Sequence, residues 1–139
     1  MKKSHFILLA LFALPFFLFN STADMKKKKI LVFSKTAGYR HSSIEEGKEA
    51  LLKLGRENNF DVDTTEDSTY FNSKTLSSYA VVVFLNTTGD VLNKEQQEAF
   101  EQYIRSGKGF VGIHSATDTE YSWPWFCKLV GANFASHPK

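Results

Sequence analysis

Residues 107–126 read GKGFVGIHSATDTEYSWPWF, and the rest of the chain is best taken outward from them. Phe110-Val111-Gly112-Ile113 is a short apolar run behind a glycine turn, which suits a buried strand. It leads straight into a polar and aromatic loop carrying His114, Ser115, Thr117, Asp118, Thr119, Glu120, Tyr121 and Trp123. In open α/β sheets, ligands bind beyond the carboxyl ends of the parallel strands. So many functional side chains at one strand end mark the floor of a site.

The preceding chain supplies the frame. Ile30-Leu31-Val32-Phe33 is a continuous apolar run, the pattern of a parallel strand buried on both faces. Lys35 to His41 is a polar loop with a glycine. Ser43-Ile44-Glu45-Glu46 fits a capping box, and the helix it opens has Ile44, Ala50, Leu51 and Leu54 as its buried stripe. Phe60, Val62 and Thr64 alternate with polar residues, as in a strand near a sheet edge. Residues 66–78 read as loop plus a short helix, anchored by Tyr70, Phe71 and Leu76. Ala80 to Leu85 (AVVVFL) is the clearest central strand, with Asn86 to Asp90 as its exit loop. Asn93 with Gln96 caps a helix bearing Ala99, Phe100, Tyr103 and Ile104 on one face. Trp123-Pro124 opens a final short helix that Gly131 ends. Strands alternating with helices predict a flavodoxin-like α/β fold: a parallel sheet of about four strands with helices on both faces. Such an open last strand offers an edge on which a homodimer can pair.

The 139 residues suffice for one modest domain. Basic and acidic residues nearly balance, 17 against 15, and the excess comes largely from Lys2, Lys3 and Lys26 to Lys29. No nucleic-acid-binding surface is implied. The single cysteine, Cys127, excludes an internal disulfide and a cysteine-based zinc cluster, and reads as an ordinary buried thiol. The N-terminus resembles a secretory signal: Lys2 and Lys3, the apolar run Phe6 to Phe19 interrupted by Pro15, and small residues Ser21-Thr22-Ala23. Residues 1–23 are thus expected to be a signal peptide and 24–139 the exported domain, periplasmic or extracellular. The apolar run is shorter than the roughly 20 residues of a comfortable membrane span. Lys26 to Lys29 would hinder export, so an uncleaved N-terminal membrane anchor, or a start at Met25, is the alternative.

Outside the leader, the three histidines stand apart from the apolar stripes. His41 follows the first strand, His114 the fourth, and His137 the last helix. A parallel sheet brings the first two to one edge, where imidazole can act as acid, base or metal ligand. The bland reading is a set of hydrogen bonds to loop backbone. Asp118 can orient His114 or merely shape a turn. A His/His/Asp site for a divalent metal is open, but no tight spacing such as H-E-x-x-H supports it. Glu120 reads as a solvated loop residue. Asn86, Thr87 and Thr88 suit sugar hydroxyls or a small anion, or an asparagine-stabilised turn. Trp123 and Tyr121 can stack on a sugar ring or simply pack, and Trp125 reads as core. No G-x-S-x-G is present, which argues against a serine hydrolase.

KTAGYRHSSI (35–44), residues 84–126 from FLNTTGDVLNKEQ to EYSWPWF, and LVGANFASHP (129–138) together resemble the ThuA-like, trehalose-utilisation domain. The resemblance runs from about Lys29 to the last residue, with several motifs in order. It implies a fold like that of the class I glutamine amidotransferases. Their cysteine nucleophile is replaced by His114 at the turn, which argues against glutaminase chemistry. It further implies a small-molecule sugar substrate and a pocket lined by Thr36, His41, Asn86, Thr87, His114, Asp118 and His137. The expected activity is hydrolysis or isomerisation of a glycoside or keto-sugar, with His114 or His41 as acid/base and Asp118 orienting. A non-catalytic carbohydrate-binding protein is the alternative. Family domains continue past the S-H-P motif, so the chain reads as the first part of a larger domain, and an inactive fragment is a third reading.

Overall fold

The computed structural model describes residues 27–138. The expected leader, its cleavage point and Met25 lie outside the described residues. Four strands form one parallel sheet in the order β2-β1-β3-β4: β1 (Lys28–Phe33), β2 (Phe60–Thr65), β3 (Val81–Leu85) and β4 (Gly109–Ile113). The helices are α1 (Ile44–Glu57), α2 (Ser73–Leu76), α3 (Lys94–Arg105) and α4 (Pro124–Val130), with 3-10 turns at Ser68–Tyr70 and His114–Asp118. This is the flavodoxin-like α/β layering that the apolar runs predict. Among the described residues, no helix is long and apolar enough to cross a membrane.

Alternation along the strands sends side chains to two unequal cores. Leu31, Phe33, Val82 and Phe84 meet Leu76 of α2, Phe100 and Tyr103 of α3 and Phe126 of α4. Phe84 is the hub, fully buried, with ring centroids of Phe33, Phe100, Phe110 and Phe126 within 5.3–5.5 Å and Phe71 at 5.7 Å. On the other face, Val32, Val83 and Leu85 meet Leu51 of α1.

Helix α1 departs from the sequence expectation in register. Leu54 is 46% exposed, whereas Ile44 and Gly55 are buried. The approach to the sheet is made by Gly47, Leu51 and Gly55, spaced by four residues along one face. A Cβ at Gly47 would stand 2.9 Å from Leu85 Cδ1, and one at Gly55 2.8 Å from the Phe60 carbonyl oxygen. Glycine thus sets how closely α1 lies, although glycine does not register in an apolar stripe. The predicted capping box at Ser43 is not formed; the Ser43 hydroxyl accepts instead from Asn86 Nδ2 at 2.9 Å. The box at Asn93 and Gln96 is formed as predicted.

The two sheet edges differ. β2 carries Asp61 and Asp63, ion-paired to Lys27 and Lys29 at 2.8 and 2.7 Å. β4 (GFVGI) is uncharged, and Val111 is 46% exposed.

Because the Phe84 ring joins elements from every part of the larger core, Phe84→Ala should destabilise the fold by about 3–5 kcal/mol. That is a large share of a typical total of about 5–15 kcal/mol. Equilibrium urea unfolding is the check, and a loss below about 1 kcal/mol would contradict the hub role.

Candidate functional site

β3 and β4 end in left-handed residues. Asn86 (φ 52°) follows β3, His114 (φ 51°) follows β4, and Glu120 (φ 56°) closes the β4 loop. Asparagine adopts this conformation readily and histidine more often than most residues, but for glutamate it is strained. Strain of this kind costs about 1–3 kcal/mol per residue and collects at functional sites. The reason for Gly112 is local: a Cβ there would stand 3.0 Å from Ala116 Cβ, because the 3-10 turn folds back onto the strand.

The turn is stitched to the β3 exit loop. Gly89 N donates to the Asp118 carbonyl at 2.8 Å, and Glu120 N to the Gly89 carbonyl at 3.2 Å. The Thr87 and Thr119 hydroxyls meet at 2.8 Å. Glu120 completes the join. Its side chain is fully buried, not solvated as the sequence suggested. One carboxylate oxygen accepts from Val91 N and Leu92 N, the other from Gln97 Nε2, all at 2.7 Å. Burial pushes this carboxyl above its ordinary range, and the three donors oppose that rise without cancelling it.

Above the turn, His41 and His114 meet edge to face with ring centroids 4.5 Å apart. They line a cavity of about 100 Å³ with Ser115, Thr117, Asp118, Phe134 and His137. A larger groove of about 190 Å³ between α2 and α3, lined by Leu76, Ala99, Tyr103 and Lys108 among others, contains no comparable set of acid–base groups. The segment carrying His137 is held down by Phe134 N donating to the Thr117 carbonyl at 2.9 Å. Tyr121 adds a clasp: its hydroxyl lies 2.6 Å from Asp118 Oδ1 and 2.7 Å from the Phe134 carbonyl. Having one proton, it donates to one of them at a time. Partial burial and the Asp118 carboxylate push this phenol up to about 12.

Four of the residues singled out from sequence therefore come together: His41, His114, Asp118 and His137. Asp118 is bonded to Tyr121 and makes no hydrogen bond to a histidine ring, so the orienting contact is not formed. The other four frame the site without lining the cavity. Thr36 bridges to Thr88. Asn86 is buried on Ser43, and Thr87 on Thr119. Trp123 is 6% exposed and stacks on Trp125 and Phe126 at 5.1 and 5.7 Å, which places it in the core and not on a sugar-stacking surface. Ser115 and Thr117, placed by the sequence on the site-floor loop without a role, line the cavity; sequence reasoning passed over Phe134 as a lining residue and Glu120 as an anchor. Only an acid set among aromatic residues hinted at the last. Among the described residues, no group of three or more His, Cys, Asp or Glu stands where it could hold a metal ion.

A four-stranded parallel sheet with paired histidines beyond its carboxyl edge defines the class: a flavodoxin-like α/β domain with its candidate site at the strand ends. The chain belongs to the ThuA family, described as trehalose utilisation, whose model matches residues 29–139. A ThuA-like protein from Bacteroides uniformis has a similar structure, with TM-score 0.62 and 30% identity over 76% of this chain and 45% of that one. Another, from Parabacteroides merdae, gives TM-score 0.57 and 25% identity over 73% of this chain and 37% of that one. The chain thus spans less than half the length of either solved relative. A search of curated proteins finds no match.

Glu120 generates a prediction with a sign. A carboxyl raised in the folded state holds its proton more tightly there than in the unfolded chain. Its contribution to stability is then greatest below the unfolded value and falls as pH rises through the folded one. Wild type should therefore lose stability relative to Glu120→Gln between acid and neutral pH. Glu120→Ala, which strands two buried backbone donors, should cost about 2–5 kcal/mol. Paired urea titrations across pH test both; a difference between wild type and Glu120→Gln that stays flat with pH would refute the first.

Proposed function

We propose that this chain serves an exported sugar-processing activity, acting on a glycoside or keto-sugar by histidine acid–base chemistry. The observation that carries the reading is the His41–His114 pair, 4.5 Å between centroids on the wall of one cavity with His137 and Asp118. Imidazole takes and gives protons near neutral pH, so two adjacent rings supply an acid and a base within one substrate's reach. In this reading His114 or His41 removes a proton from a sugar hydroxyl or a water, and the other ring returns one to the leaving or rearranging oxygen. Asp118 acts through Tyr121, whose hydroxyl links it to the segment carrying His137. The family description, trehalose utilisation, supports a sugar substrate. The leader-like residues 1–23 support export.

A second reading, carbohydrate binding without turnover, is favoured by one observation: Tyr121 is 46% exposed beside Asp118 and offers a ring face to a sugar.

His114→Asn keeps a residue tolerant of the left-handed backbone and removes the imidazole. It should lower turnover of trehalose or its keto derivative by about 10²–10⁴-fold with the melting temperature unchanged, read by chromatography of products. Equal turnover in the variant would sink the acid–base role. Binding of these sugars by the wild type with no product over long incubation would select the second reading.

A further inference from the structure

Hydroxyls at the carboxyl ends of β3 and β4 are paired, with one exception at the cavity. Thr88 donates to the Tyr39 carbonyl at 2.9 Å. Thr119 donates to the Ser115 carbonyl at 3.2 Å, so Thr87 must be the donor in its 2.8 Å pair with Thr119. Ser115 breaks the pattern. It is 8% exposed, and its Oγ is sealed from solvent without a hydrogen-bond partner, yet the residue lines the cavity beside His41 and His114. Ser34, the other unpartnered hydroxyl, is fully buried just past β1 and lines neither cavity described above.

An unpartnered buried hydroxyl is a net cost that alanine would avoid. The backbone cannot shift to relieve it. The Ser115 carbonyl is held by Thr119, the preceding residue is fixed at φ 51°, and the turn rests on Gly112 through Ala116. Only the side-chain torsion χ1 is left, and a turn about it is what brings the sealed hydroxyl round to the cavity.

Resting on the sugar-acting reading of this pocket, we infer that Ser115 is a substrate-positioning residue whose hydroxyl pairs with a hydroxyl of a neutral polyol. Serine both donates and accepts, and so does an alcohol; a carboxylate or phosphate would use the donor alone. The cavity of about 100 Å³ is open on one side. A hydroxylated edge of a sugar ring enters from that side, between the two imidazoles and Ser115.

The test uses the full chain with its histidines labelled for NMR, titrated with trehalose and with glucose, in wild type and Ser115→Ala. The expected result is movement of the His41 and His114 ring signals in wild type. In the variant, affinity should be weaker by about tenfold, the loss of one good hydrogen bond, and the melting temperature equal or higher. Unchanged affinity in Ser115→Ala would overturn the role of Ser115 and leave the sugar-acting reading standing. A melting temperature lower by several degrees would overturn it too, by showing the hydroxyl to be structural. A wild type that responds to neither sugar would sink the sugar-acting reading and the inference with it.

Discussion

One buried carboxylate fixes the relation between the two loops that make the site. Glu120 comes from the β4 loop, and its three acceptor contacts reach the backbone ahead of α3 and a glutamine within it. Without it, Val91 N and Leu92 N would be donors without an acceptor in a region that excludes water. Glu120 therefore joins the sheet's exit loops to the helix that packs beneath them. The cross-links from Gly89 to Asp118 and from Thr87 to Thr119 lie along the same seam. The positions of His114 and Asp118 follow from this seam, because both lie on the turn that it anchors.

Packing and strain act here in opposite senses. The aromatic core around Phe84 holds β3 and β4 rigidly, and their last residues hand over to left-handed backbone at Asn86 and His114. A left-handed histidine persists where its surroundings determine it more strongly than its own preference does. The Gly112–Ala116 contact and the Thr119-to-Ser115 hydrogen bond supply that determination.

The fold was legible because parallel strands in an α/β sheet are continuous apolar runs, and ILVF, VVVFL and FVGI fall on β1, β3 and β4. Of these, only burial of the last was misjudged, since β4 is an edge strand with Val111 exposed. The gathering of His41 and His114 was legible too, since topology alone brings strand ends together. What escaped depends on three-dimensional neighbours. Leu54 looked buried and Gly55 did not, because an apolar stripe cannot register a close approach made by glycine. Glu120 looked solvated because nothing in its own neighbourhood names the backbone amides that it would meet some thirty residues earlier. Trp123 was open between stacking and packing, and its neighbours Trp125 and Phe126 turned it inward.

The unlike edges of the sheet give it a direction. At β2, alternate residues are carboxylates tied to lysines, and an incoming strand would have to disturb those ion pairs. At β4 there is no charge to displace, and Val111 already presents apolar surface. Edge strands are normally guarded against new partners by charge, so this sheet is closed on one flank and receptive on the other. A strand that added in parallel beside β4 would bring its carboxyl end next to His114. For such a strand, growth of the sheet would also be growth of the wall around the histidine cavity.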